Sequence, residues 1–161
     1  MTSTRLLVTS WYTHQLRQFD ADEYNFGDEL RRVQLPDHMQ IYHAMESPAG
    51  RFIISLHNSQ LKHGQVVEVN TAGEVLRQFG GSRPPSFGRA EHVAVDSHGN
   101  VFVADEYSGQ ILLLDDHLSL RRVIIDEHQL NDNNYPKRLC YMEQSGHLLV
   151  GSQRLMCFVV R

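Results

Sequence analysis

The segment Val8 to Asp20, VTSWYTHQLRQFD, superposes without a gap on Val103 to Asp115, VADEYSGQILLLD. Tyr12 falls on Tyr107, Gln15 on Gln110 and Asp20 on Asp115, and Leu30-Arg31-Arg32-Val33 returns as Leu120-Arg121-Arg122-Val123. A chain that repeats itself in this way is built from one supersecondary unit, which buries its apolar faces by stacking on copies of itself.

The stretch Ala90 to Leu120 is the clearest copy of that unit. Three short runs rich in Val, Ile and Leu, at His92 to Asp96, Val101 to Asp105 and Gln110 to Asp115, are separated by the turn sequences Ser-His-Gly-Asn and Glu-Tyr-Ser-Gly, a pattern that predicts a meander of strands. Gly99 supplies the positive φ that a tight hairpin requires. A second unit begins near Gln40 with IYHAMES, turns at Pro48-Ala49-Gly50 and continues as RFIIS, QVVEVN and EVLRQFG, so that Gly50 falls on Gly99. The third unit is completed by LRRVII, and a fourth runs RLCYMEQ, HLLVG and LMCFVV. Val8, Ile54, Val103 and Val150 then mark second strands at intervals of roughly 40 to 50 residues, the size of a propeller blade. Inner strands should be almost wholly apolar and outer strands charged, as Arg31, Arg32 and Arg77 indicate. No stretch sustains a 3.6-residue apolar period, which argues against helices.

The succession HVAVD, SHGN, VFVAD and QILLLD resembles the NHL-repeat family of β-propeller blades. The resemblance implies an all-β fold, a propeller segment of about four NHL-type blades divided near residues 1–39, 40–89, 90–136 and 137–161. Only Met1 to Thr4 precede the second strand of unit one, which therefore lacks an inner strand, and unit four ends at its third strand. Two blades are thus incomplete. An arc of this kind is expected to need a longer parent chain, of which it would form the C-terminal part, or self-association to close. Many animal proteins with this appearance are tripartite-motif proteins, whose propeller recruits targets for ubiquitination; two cysteines cannot build the zinc sites of a RING, so ligase activity would belong to a longer parent.

Net charge of −4 gives no general attraction to nucleic acid or acidic membranes. Cys140 and Cys157 make no disulfide framework, and the N-terminal apolar run, Leu6 to Val8, is far short of a leader or a span. A cytoplasmic location, with no membrane partner, is the expectation. Both cysteines are expected to be buried apolar fillers.

Candidate chemistry is sparse. The propeller lyases that amidate peptides resemble this fold and place metal-binding histidines at the starts of inner strands. His92 lies close to that place, but Glu91 stands where the histidine belongs, with Tyr42 as its counterpart in the preceding unit. The pairs His57/His63 and His92/His98 have no zinc-ligand spacing. There is no Gly-x-Ser-x-Gly elbow, and Gly80-Gly81 is a turn rather than a phosphate cradle. Asp96, Asp105 and Asp115 recur at strand ends, where each is expected to accept hydrogen bonds from turn backbone, with Glu46 and Glu143 falling on the Asp96 position. No cofactor, metal or catalytic residue is expected; a lyase or lactonase of the six-bladed type is the enzymatic alternative.

What remains is surface recognition. In NHL propellers the outer-to-inner and second-to-third strand loops share one face, which the family uses for protein or RNA partners. Here those loops carry Trp11, Tyr12, Lys62, Arg83, Phe87, Arg89, Tyr107, Tyr135 and Lys137, aromatic and cationic side chains of the kind that dominate binding energy. The same loops hold Glu91, Asp105, Glu106, Asp126 and Glu127, whereas a face that binds nucleic-acid backbone should be basic. A protein partner is therefore the first expectation and RNA the second.

Overall fold

A computed structural model describes residues 4–21, 26–60, 63–81, 88–130, 135–152 and 155–160. Among the described residues fourteen strands form four antiparallel meander sheets, and no helix occurs. The first sheet is β1 (Thr4–Ser10), β2 (Gln15–Ala21) and β3 (Phe26–Gln34). The second is β4 (Met39–Glu46), β5 (Phe52–Asn58), β6 (His63–Val69) and β7 (Val75–Gly80). The third is β8 (Ala90–Val95), β9 (Val101–Asp105), β10 (Gln110–Leu114) and β11 (Leu120–Ile125), and the fourth is β12 (Arg138–Met142), β13 (His147–Gly151) and β14 (Leu155–Val159).

Each strand pairs with its sequence neighbour within a sheet, and each sheet packs face to face on the next. The innermost strands touch in succession, β4 on β8 and β8 on β12. β1 packs on β4 as β5 packs on β8 and β9 on β12, which makes β1 a second strand. Sheets arranged radially in this way are blades, and the chain is a segment of a β-propeller in which the first and fourth blades have three strands each.

Three apolar cores correspond to the three contacts between blades. Leu16, Val33 and Leu35 meet Phe52, Ile54 and Val67 between the first and second blades. Ile53, Val66 and Phe79 meet Val93, Val101 and Val103 between the second and third. Phe102, Ala104 and Ile111 meet Leu139, Leu148 and Val150 between the third and fourth. Side chains alternate across a strand, so β9 sends Val101 and Val103 to one core and Phe102 and Ala104 to the next. Every residue of β9 is buried. The second strands, not the innermost, are thus the apolar ones: β4, β8 and β12 face the propeller axis and carry Tyr42, His43, Glu91, His92 and Arg138, none of them buried. Outer strands β7 and β11 are largely exposed.

The cysteines differ from expectation: both are exposed. β14 turns Met156 and Phe158 toward the third blade and, by alternation, Leu155, Cys157 and Val159 away from it. Leu155 and Val159 are 75% and 58% exposed. Cys140 lies in the same cross-strand row as Cys157, on either side of Leu149.

The strand-end carboxylates stitch turns. Asp96 Oδ1 accepts the backbone N–H groups of His98 and Asn100, at 2.9 and 2.8 Å. Asp115 does the same for His117 and Ser119, at 2.9 and 2.8 Å, and Asn70 for Ala72 and Glu74, at 2.9 and 3.0 Å. Ser47, not Glu46, occupies the place of Asp96: Ser47 N–H bonds Arg51 O as Asp96 N–H bonds Asn100 O, with Gly50 and Gly99 in the left-handed region at φ 71° and 86°. Glu46 and Glu143 instead tie blades together, Glu46 to Gln18 and Arg5, Glu143 to Ser97.

Candidate functional site

The connections between second and third strands and those entering the innermost strands meet on one face, around a cleft of about 1210 Å³. Trp11 comes from the β1–β2 turn, Gln40 and Tyr42 from β4, His57 and His63 from β5 and β6, Gly88 and Arg89 from the approach to β8, Glu106 and Tyr107 from the β9–β10 turn, and Tyr135 from the approach to β12. The cleft thus draws on the first three blades and the approach to the fourth.

Local geometry explains how these side chains are held. In both β4 and β8 the register shifts by one residue on the innermost strand, between Ile41 and His43 and between Ala90 and His92. Such a bulge re-aims the side chain it carries, and Tyr42 enters the cleft from that position. Trp11 meets it edge to face, with ring centroids 4.7 Å apart and planes at 80°. The Arg89 guanidinium lies over the Tyr42 ring, 5.5 Å from its centroid. Tyr107 rests on Gly88, where a Cβ would come within 2.4 Å of the Tyr107 side chain, so only glycine leaves the ring its place. The β9–β10 turn is fastened from behind by Asp105, 1% exposed, whose Oδ1 accepts the N–H groups of Arg89 at 3.1 Å and Ser108 at 3.4 Å.

One carboxylate organises the charges. Glu106 accepts Arg89 Nη1 at 2.7 Å and lies 3.4 Å from Lys137 Nζ. Burial would raise the Glu106 carboxyl, but the hydrogen bonds from Arg89 and Lys137 outweigh it and hold it below the usual range. His57 is pushed down by burial and by the neighbouring Arg89 and His63, and is therefore neutral at pH 7. Burial raises the Tyr42 phenol, with Arg89 opposing. Trp11, Gln40, Tyr107 and Tyr135 make no side-chain hydrogen bond to the described residues, so their N–H, amide and hydroxyl groups remain available to a ligand.

Of the residues singled out in the sequence, Trp11, Arg89, Tyr107 and Tyr135 line this cleft and Lys137 is tied to it through Glu106. Tyr12 projects from the same turn as Trp11 but stands outside the cleft, 91% exposed. Lys62, Arg83 and Phe87 lie outside the described residues. Gln40, Tyr42, His57 and Gly88 were missed. The offset that sets Gly50 on Gly99 pairs Tyr42 with Glu91 at the two bulges, but Glu91 does not line the cleft, so the repeat alone did not mark Tyr42. His92 sits at the axis, stacked on His43, and accepts Leu139 N–H on Nδ1 at 3.3 Å. Among the described residues no three His, Cys, Asp or Glu side chains converge as metal ligands.

No family model and no curated protein sequence matches the chain. Solved structures match in fold. YCF48 bound to D1 peptide is similar at a TM-score of 0.69 and 11% identity, over 100% of this chain and 49% of that one. Virginiamycin B lyase from Staphylococcus aureus matches at 0.59 and 11%, over 99% of this chain and 53% of that one. BBS1N in complex with ARL6DN matches at 0.55 and 13%, over 96% and 49%. These are β-propeller proteins, enzymes and non-enzymes among them, and the chain spans about half the length of each. At this identity the likeness shows the fold.

Proposed function

We propose that the chain is a non-enzymatic recognition module of the NHL type, which binds an extended segment of a partner protein across the loop-face cleft. The observation that carries this reading is the lining: four aromatic rings, Trp11, Tyr42, Tyr107 and Tyr135, stand around one opening, and the polar groups of Trp11, Tyr107 and Tyr135 make no hydrogen bond to the described residues. Rigid aromatic rings supply contact area at small entropic cost, and unspent donors and acceptors suit a peptide backbone. The volume, about 1210 Å³, exceeds the range typical of small-molecule pockets, roughly 300 to 1,000 Å³, and fits a length of chain better than a compact metabolite. Two structures of the same fold hold protein partners, YCF48 with D1 peptide and BBS1N with ARL6DN.

The single tryptophan of the sequence lies in the cleft and makes the test direct. Binding of short peptides should change Trp11 fluorescence, and Tyr42→Ala should weaken it about tenfold or more, as loss of a central aromatic contact does. Peptides that bind without a Trp11 response, and with undiminished affinity for Tyr42→Ala, would move the recognition surface elsewhere.

A further inference from the structure

We propose that the segment recognised by the cleft presents a carboxylate beside an aromatic side chain, with the carboxylate seated between Arg89 and Lys137. The inference rests on the peptide-binding reading and adds the chemistry of the ligand. Two cations share one carboxylate here: Arg89 donates to Glu106 through Nη1, and Lys137 approaches the other oxygen of the same group. Each cation keeps further N–H donors, since a guanidinium has five and an ammonium three. Their side chains are 48% and 56% exposed, so those donors are open to an incoming group. A second carboxylate between them would complete an alternation of two positive and two negative groups.

The neighbouring groups favour this ligand over the others. Asp105 adds negative charge behind the cleft, but its Oδ1 is already engaged by the N–H groups of Arg89 and Ser108. A cationic ligand would find the Tyr42 face covered by Arg89 and the Glu106 carboxylate occupied. A run of phosphates needs several uncompensated charges, and here Arg89 and Lys137 already face Glu106 while Arg138 lies 3.7 Å from Glu91. One carboxylate needs only the spare donors of one cation pair. The aromatic neighbour follows from the rings of Trp11, Tyr107 and Tyr135, which line the same opening and pack edge to face or offset on another ring.

The test is a short peptide library with a fixed central tyrosine, in two matched series bearing Asp or Glu, or Asn or Gln, at the flanking positions. Each series is made with free and with amidated C-termini and titrated against the 161-residue chain by Trp11 fluorescence. The acidic series should bind about tenfold tighter than the amide series, the scale of a charge-assisted hydrogen bond. That preference should fall toward onefold in Arg89→Gln and in the more exposed Lys137→Gln, and shrink with added salt. An advantage confined to free C-termini supports the same carboxylate seat, with the chain end as its source. Equal binding of both series, or an advantage of lysine-bearing peptides, overturns the inference and leaves the peptide-binding reading standing. No binding in any series, with single-stranded RNA bound instead, overturns both.

Discussion

His43 and His92, on adjacent innermost strands, stack ring on ring with centroids 3.5 Å apart and planes 19° from parallel. The residues are counterparts in successive blades, one position beyond the bulges of β4 and β8. His92 Nδ1 accepts the Leu139 N–H, so its proton sits on Nε2. Burial, with the charge of Arg138, pushes His43 down to about 4; burial, with His43 and Arg138, pushes His92 down to about 3. A hydrogen bond with the Val93 backbone opposes the shift at both rings and is outweighed.

Both rings are therefore neutral in the folded state well below pH 6.5, where unfolded histidines take up protons. Their contribution to stability is complete above about pH 6.5 and is lost as pH falls through the folded values, near 4 and 3. With those folded values the pair should cost up to about 6 kcal/mol between pH 7 and pH 4, roughly 3 kcal/mol for each ring. Urea midpoints at the two pH values measure it, and His43→Phe, which keeps a ring and removes a titrating group, should flatten the slope. An unchanged slope would show that the stack does not hold the rings neutral.

Gly88 is the pivot of the cleft wall. A methyl group there would meet the Tyr107 side chain at 2.4 to 2.6 Å, so Gly88→Ala must drive the ring outward. The expected cost in stability is about 1–3 kcal/mol, and peptide affinity should fall more than in Tyr107→Ala, because the displaced ring also disturbs the Arg89–Glu106 pair next to it. Peptide titration of both variants decides the order.

The fold was legible because the pattern that encodes it is local and repeated. Gly99 and Gly50 mark hairpins, Val101 to Asp105 reads as a strand buried on both sides, and the match of Val8 to Asp20 with Val103 to Asp115 places β1 among the second strands. Tyr42, His43, Glu91, His92 and Arg138 stand in the sequence, but that their strands are open on one side was not legible, since it follows from the axis they face. The cleft was legible only in part. Trp11, Arg89, Tyr107 and Tyr135 stand on the predicted loops, but Tyr42 reaches the cleft through a bulge, and a bulge is set by pairing with β5 rather than by its own residue. The His43–His92 stack joins strands far apart in sequence, and Cys140 and Cys157 were misjudged because exposure on β12 and β14 depends on which side faces another blade.

Asp96 should matter more than its chemical twin Asp115. It is 9% exposed and accepts from His98 N–H, Asn100 N–H and Asn100 Nδ2, whereas Asp115 is more exposed and accepts two backbone bonds. Asp96→Ala is expected to cost about 2–3 kcal/mol and Asp115→Ala about 1 kcal/mol or less. Asp96→Asn should recover most of the loss, because Asn70 performs the same turn-closing role in the second blade with an amide oxygen. Denaturant midpoints of the three variants check it, and an Asp96→Asn cost equal to that of Asp96→Ala would mean that charge, not the acceptor, closes the turn.

The outward face of the fourth blade carries Cys140 and Cys157 in one row, with Leu155 and Val159 beside Cys157. A contiguous apolar surface of this kind promotes association. In dilute solution both thiols should react with a small thiol reagent without unfolding, at rates near that of a free cysteine; a buried filler would react only through rare opening. Raising the protein concentration should slow both reactions together as the face becomes covered. Val159→Lys, which sets a charge on an edge strand, should abolish that protection while leaving the stability within about 0.5 kcal/mol of the parent chain. Fast labelling that never responds to concentration would show that the exposed face does not drive association of this chain with itself.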